Sequence, residues 1–320
     1  MNYKKLAELA SVSVGTVSKA FKNSKEISEK TKQTIFEIAK ETGCFDKYYK
    51  CPRQTKAVAI IIPELVSEIY YTMASYIQTQ LKERGIISLV SSNDFKTENT
   101  QSLISYFNST KSVDGIIIID ARLKNSPDGV PIVNLSTIKK SGNHSAPAVY
   151  DQMIKLFKQN GHKKIAYIGE KLTRSKQLLF TEAMNNNLLH VDSDYIVESD
   201  KRFEQAGYEA MEQLYSLPSP PTAIFAAYDY IALGAMQCIK NHGHSVPEDF
   251  SIVGSDDISL ASHSNISLSS IRTDSKAVCD VAIDLVIKKF NRKYLTLKSN
   301  ISQECELIIR NSIKNLNEKR

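Results

Sequence analysis

Leu6-Ala7-Glu8-Leu9-Ala10-Ser11-Val12-Ser13-Val14-Gly15-Thr16-Val17-Ser18-Lys19 decides how the first part of this 320-residue chain folds. Leu6, Ala7, Leu9 and Ala10 recur at the i, i+1, i+3, i+4 spacing of one helical face. Ser13 is placed to cap a second helix over about residues 14–21, because its hydroxyl accepts from amides two or three residues on. That helix turns Val17, Ala20 and Phe21 inward with Thr16 beside them. Its outer face shows Gly15, Lys19 and Lys22, flanked by Val14 and Ser18. Two short helices joined by a tight turn, the second polar and basic outside, predict a helix-turn-helix. Ser28 then caps a third helix over about 29–41, with Ile35, Ile38 and Ala39 as its buried stripe and Gly43 just past its end.

Residues 1–56 hold 12 Lys and Arg against six acids. The head therefore carries the whole formal excess of +6, and the rest, with 29 charges of each sign, is balanced. A polyanion partner accounts for that confinement, as does a solvated basic terminus. In a major groove the outer face offers Lys19 to guanine acceptors and Val14 to a thymine methyl, with flanking lysines on phosphates.

From Ala57 the pattern changes to short β-branched runs alternating with longer amphipathic segments. Strands are expected at Ala57–Pro63, Ile86–Ser91, Asp114–Asp120, Pro131–Ser136, Lys164–Gly169, Tyr195–Glu198, Thr222–Ala227 and Phe250–Gly254. Helices near 66–84, 97–111, 149–160, 175–187, 203–216, 229–242 and 275–292 fall between them. Apolar strands alternating with helices predict an α/β core of parallel sheets flanked by helices on both faces, with ligands at the C-terminal strand ends. Two lobes are expected, about 57–137 and 145–270, with the last segments crossing back. The division by residue is a head at 1–43, a basic linker at 44–56 and a core at 57–320.

Other classes lose ground. The apolar runs fall far short of the roughly 18 residues of a membrane span, and the N-terminus lacks a signal-peptide core. Five cysteines without a CxxC pair read as reduced thiols, so a cytoplasmic protein is expected. GxGxxG, P-loop and GxSxG motifs are absent, so neither an enzyme with catalytic residues nor a cofactor is expected. His242-Gly243-His244 reads as a surface turn, not as a metal pair. A solute-binding protein without a transcriptional role and a small-molecule enzyme are the rival readings.

The head stretch resembles the lactose/galactose repressor (LacI/GalR) family, whose heads read hydrophobic-A-x-x-A-G-V-S-x-x-T-V-S-R and continue with I/V-S-x-x-T-R. The latter stands here as Ile27-Ser28-Glu29-Lys30-Thr31-Lys32. Further landmarks are Gly161-His162-Lys163-Lys164-Ile165-Ala166-Tyr167, Asp229-Tyr230-Ile231-Ala232-Leu233-Gly234, Pro247 to Asp257, and Ile309-Arg310-Asn311-Ser312. The resemblance implies a periplasmic-binding-protein-like core and a homodimer on double-stranded operator DNA, with a small polar, sugar-like effector and no membrane association. It implies Val14, Gly15 and Lys19 as base readers, with Ser13, Thr16, Ser18, Lys22 and Lys32 at the same interface. Ser11 replaces the usual turn glycine.

The linker departs from the family pattern Y-x-P-N-x-x-A-x-x-L, lacking its Ala and Leu and carrying Pro52. Tyr48 or Tyr49 as a substitute minor-groove wedge, and a basic segment touching phosphates only through residues such as Arg53, both remain open. Ligand–DNA coupling below about 1 kcal/mol is expected from this weakened element. In the effector pocket Asp256 matches the family's hydroxyl-binding acid, although a capping role is equally open. Asp229 is expected beside the ligand as well; Tyr228 stands before it where the family has Asn, and Ser136 stands where the family has Asp. Lys176 replaces the sugar-clamping arginine, with Arg174 as a possible substitute. Tyr70 and Tyr71 fall near the aromatic lining, or in the core.

Overall fold

The computed structural model describes residues 2–22, 24–48, 55–119, 129–137, 146–263, 267–290 and 305–317. The chain separates into two compact units, Met1–Lys56 and Ala57–Arg320. The first consists of α1 (Tyr3–Leu9), α2 (Val14–Phe21), α3 (Glu29–Glu41) and α4 (Phe45–Tyr48). Asn2, Ser13 and Ser28 accept from the amides of Lys5, Thr16 and Thr31 at 3.0, 3.0 and 3.2 Å. Each cap stabilises its helix by about 1 kcal/mol. Leu6, Ala7, Val17, Ala20, Phe21, Ile35 and Ala39 form the buried centre. Leu9 is half exposed and Ile38 only partly covered, so the stripes are narrower than their spacing predicts. Gly43, at φ +64°, takes the left-handed turn past α3.

The chain then continues into α4, which sequence reasoning did not anticipate because four residues show no period. Tyr48 lies with its ring 4.4 Å from Tyr3 and 5.8 Å from Phe21, so the helical unit extends past residue 43.

The second unit opens with β1 (Ala57–Ile62), α5 (Glu68–Glu83), β2 (Ile87–Ser92), α6 (Thr97–Thr110), β3 (Gly115–Ile118) and β4 (Ile132–Asn134). They build a parallel sheet ordered β2-β1-β3-β4. All six residues of β1 are buried because both faces are covered. Val58, Ile60 and Ile62 meet Ile77 and Leu81 of α5, whereas Ala57, Ala59 and Ile61 meet Ile104 and Phe107 of α6.

The second lobe follows with α7 (Ala146–Gln159), β5 (Ile165–Glu170), α8 (Arg174–Asn186), β6 (Ile196–Ser199), α9 (Phe203–Tyr215), β7 (Ala223–Ala226) and α10 (Asp229–Asn241). Then come β8 (Ser251–Ser255), α11 (Ser259–His263), β9 (Ser269–Thr273), α12 (Lys276–Phe290) and β10 (Cys305–Ile308). Its sheet runs β10-β9-β8-β7-β5-β6, parallel except for the antiparallel β10–β9 pair. α12 returns to the first lobe and buries Val278, Cys279, Ala282, Ile283 and Val286 there, which is the expected crossing back.

β9 and β10 were not expected. Ser269 and Ser270 give β9 no apolar run, yet both are buried. Ser269 donates its amide to Ser312 Oγ at 2.8 Å, and Ser270 donates its hydroxyl to Asp229 Oδ1 at 2.7 Å. The buried His162 ring bonds Thr222 Oγ1, Ser251 Oγ and the Lys314 carbonyl at 2.9, 3.0 and 3.1 Å, pinning the tail segment to the sheet. Among the described residues no helix is long and apolar enough to cross a membrane.

Candidate functional site

On α2, Val14, Gly15 and Lys19 are exposed side by side, and Lys22 follows at the C-cap, also exposed. Ser13 and Thr16 have a local task. The Ser13 oxygen caps the helix and lies 2.9 Å from Thr16 Oγ1. Ser18 is half-buried. A Cβ on Gly15 would meet only Ser13 Oγ, at an ordinary 3.6 Å, so the head itself does not require a glycine there. Lys19 donates to the Glu26 carboxylate, and this bond holds the Glu26 carboxyl below its usual range. Ser11 occupies the turn at φ 53°, in the region that glycine takes without strain.

Lys32 does not share this surface. Its side chain is only 5% exposed and its ammonium lies 2.7 Å from Glu29 Oε1. The lysine stem packs into the head, a burial that residue type alone does not reveal. Tyr48, one of the two tyrosines considered as a wedge, lies in the head's aromatic cluster, its ring tilted against Tyr3 and Phe21. Tyr49, Pro52 and Arg53 lie outside the described residues.

In the core, polar side chains gather where strands of both sheets end. A cavity of about 370 Å³ between the lobes is lined by Glu64 after β1, Ser136 after β4, Arg202 after β6, Tyr228 after β7 and Asp256 after β8. Tyr70, Phe95, Lys176 and Phe203 also line it. Lys176 Nζ donates to the Ala227 carbonyl, Ser255 Oγ and Asp256 Oδ1 at 2.7, 3.0 and 3.1 Å, and lies 4.5 Å from the centre of the Tyr228 ring. Burial pushes the Tyr228 phenol well above its usual range. Asp256 itself sits at φ 99°, a conformation rare outside glycine, held by its amide bond to the Ile271 carbonyl at 2.9 Å.

Arg202 spans the cleft. Its Nη1 and Nη2 donate to Glu64 of the first lobe at 2.7 and 2.9 Å, while Nε donates to the buried Glu170 of β5 at 3.0 Å. The guanidinium also covers the Phe203 ring at 4.4 Å. Burial raises the Glu170 carboxyl despite the arginine beside it. Sequence reading missed Glu64, Glu170 and Arg202, and their signal was charge directly at or after predicted strand ends.

Two expected pocket residues stand elsewhere. Arg174 is exposed on α8 and donates to Gln177 Oε1 at 2.5 Å, outside the cavity lining. Asp229 is 0% exposed, beneath the floor, where it accepts from Ser270 Oγ and from the Ile258 amide at 2.8 Å. Burial pushes its carboxyl up to about 7. It braces the loop after β8 because an acid with two protein donors and no solvent is a structural group.

A helix-turn-helix head with an open polar face, in one chain with a two-lobed strand-end cleft, defines a DNA-binding regulator with a ligand-binding core. Residues 3–44 match the bacterial regulatory proteins of the lacI family and residues 154–313, half of the chain, the periplasmic binding protein-like domain, so a lacI-family head is joined to a periplasmic-binding-protein-like core. It is 29% identical over 339 residues to the HTH-type transcriptional repressor CytR of Escherichia coli, covering 98% of this chain and 96% of that one. The probable HTH-type transcriptional repressor ExuR of Bacillus subtilis is 26% identical, with 98% of each covered. The fold matches the lac repressor dimer bound to operator and the anti-inducer ONPF with a TM-score of 0.68 at 19% identity, covering 98% and 99% of the two chains. It also matches a CelR–cellobiose complex with a TM-score of 0.64 at 22% identity, with the same coverage.

Proposed function

We propose that this chain is a cytoplasmic transcriptional repressor that binds a pseudo-palindromic operator as a homodimer and is released or recruited by a small, polar, sugar-like metabolite. The observation that carries this reading is the exposed α2 face of Val14, Gly15, Lys19 and Lys22 on a head that holds the chain's whole positive excess. Val14 and Lys19 meet base edges, Gly15 lets the backbone approach closely, and Lys22 takes a phosphate. The repressors CytR and ExuR support the direction of control, and the cellobiose-bound fold neighbour supports a sugar-like ligand. In the cleft, Asp256, Lys176, Ser136 and Arg202 supply polar contacts while Tyr70 and Tyr228 supply ring surface.

Selection from random duplexes, followed by affinity measured at 50 and 200 mM salt, tests the DNA half. Neutralising six to ten phosphates makes affinity fall roughly 10³–10⁵-fold over that range. Equal affinity for every duplex, or a flat salt dependence, overturns it. Calorimetry against sugars, sugar phosphates and nucleobases tests the ligand half. Asp256→Ala then removes ligand-induced thermal stabilisation and leaves operator binding intact.

A further inference from the structure

On the outer side of the second lobe, the structure assigns a candidate zinc-type site to Glu212 of α9 with Cys238 of α10 and His242 at that helix's C-cap. The sequence presents His242 only as part of a turn. Two glycines change its surroundings. A Cβ on Gly207 would fall 1.8 Å from the Ile231 carbonyl oxygen, and one on Gly234 would fall 1.9 Å from that of Glu204. α9 and α10 therefore cross with their backbones in contact, and Glu212 is carried onto the turn of α10 that holds Cys238 and His242. The latter two stand four residues apart, on one helix face.

The donor spacing suits one small divalent ion. Glu212 Oε1 lies 3.6 Å from Cys238 Sγ, and Glu212 Oε2 lies 3.5 Å from His242 Nε2. One donor atom from each residue lies within 4.8 Å of the others. Tetrahedral zinc, with bonds of about 2.3 Å to sulfur and 2.0–2.1 Å to nitrogen or oxygen, separates its ligands by about 3.4–3.6 Å. Closing the set thus takes small side-chain movements.

The imidazole is already oriented. Its Nδ1 lies 3.1 Å from the Cys238 carbonyl, and the Tyr215 ring stacks on it at 4.4 Å. A proton on Nδ1, donated to that carbonyl, leaves the Nε2 lone pair directed at Glu212, which is how metal-binding histidines are commonly held. The hydroxyl of Tyr215 is buried without a hydrogen-bond partner. Such an orphan is costly, and it belongs to the residue whose ring lies on the His242 imidazole. Thiolate, imidazole and carboxylate together select zinc-like ions over magnesium or calcium. On binding, the Cys238 S–H bond breaks, its proton leaves to solvent and the sulfur lone pair forms the metal bond.

The test uses the untagged full chain, stripped with a chelator and titrated with Co²⁺. One Co²⁺ should bind per chain with a thiolate-to-cobalt charge-transfer band, and Zn²⁺ should displace it. Cys238→Ser should abolish the band, and Glu212→Gln and His242→Gln, both at partly exposed positions, should each weaken binding at least tenfold with unchanged circular dichroism. Absence of the band in the wild type, its survival in Cys238→Ser, or unchanged affinity in both surface variants overturns the assignment. If Cys238→Ser does not fold, the two surface variants decide alone.

Discussion

Val14, Gly15, Lys19 and Lys22 share one surface because one helical turn after another places them there, whereas Glu64, Arg202, Tyr228 and Asp256 come from four strand ends in two sheets. The two regions also differ in how their charges are held. Lys19 pairs with Glu26 at the surface, and an exposed, solvent-screened pair of this kind contributes little, so DNA can displace it at little cost. Arg202 is gripped by carboxylates from both lobes and stacked on Phe203, and Lys176 has three acceptors. A ligand entering the cleft must replace bonds that the protein already makes. Recognition in the head is additive; in the cleft it is an exchange.

The strongest way to break this contrast is Arg202→Ala. Removing the guanidinium strands the buried Glu170, and because Arg202 is itself about a third exposed the cost should be about 2–3 kcal/mol in urea unfolding, below the range for a fully buried pair. Glu64→Gln keeps a hydrogen bond and should cost less than about 1 kcal/mol. Equal small losses would show that the cleft pair behaves like the exposed one in the head.

Lys19→Ala sharpens the other side. It should cost about 1–3 kcal/mol at a single base pair of the operator if the lysine reads guanine. Glu26→Gln, by freeing the ammonium, should leave operator affinity equal or higher. Uniform weakening of Lys19→Ala on all duplexes would reduce that residue to a phosphate contact.

Smaller still is the turn. Ser11→Gly relieves a left-handed residue and should stabilise the head by about 1 kcal/mol in thermal unfolding. Gly15→Ala, which the free head accommodates, should add about 0.5–1 kcal/mol of stability while weakening DNA binding. A destabilised Gly15→Ala would mean that the glycine serves the fold.

The mildest expectation is a slope with pH. Burial lowers the His162 pKa, so the native state keeps the ring neutral while the unfolded chain takes up a proton. Its contribution is fully present above about pH 6.5 and is lost as pH falls toward the lowered native value. The head contains no histidine, so this loss belongs to the core. Unfolding curves between pH 7.5 and 5 should show a steeper loss for the wild type than for His162→Asn; identical slopes would remove His162 as the cause.

The eight strands read from apolar runs all formed with ends shifted by one or two residues; the central ones are legible because both faces are covered, whereas the edge strand β2 shows in its β-branched run although none of its residues is fully buried. β9 was invisible because its buried serines are satisfied by Asp229 and Ser312 from elsewhere in the chain. Asp229 was expected beside the effector and Lys32 at the DNA interface, and both are buried through contacts their neighbours in sequence do not show.

What the sequence determined by itself is therefore whatever depends on spacing within one element: the capped helices of the head, the face of α2 and the alternating α/β order. Only the tertiary structure decided which polar groups meet, since Arg202 finds Glu64 and the Cys238 thiol finds Glu212 through sheet order and helix crossing. Pairing energy falls off within a few ångströms, and proximity in the chain says nothing about proximity of that kind.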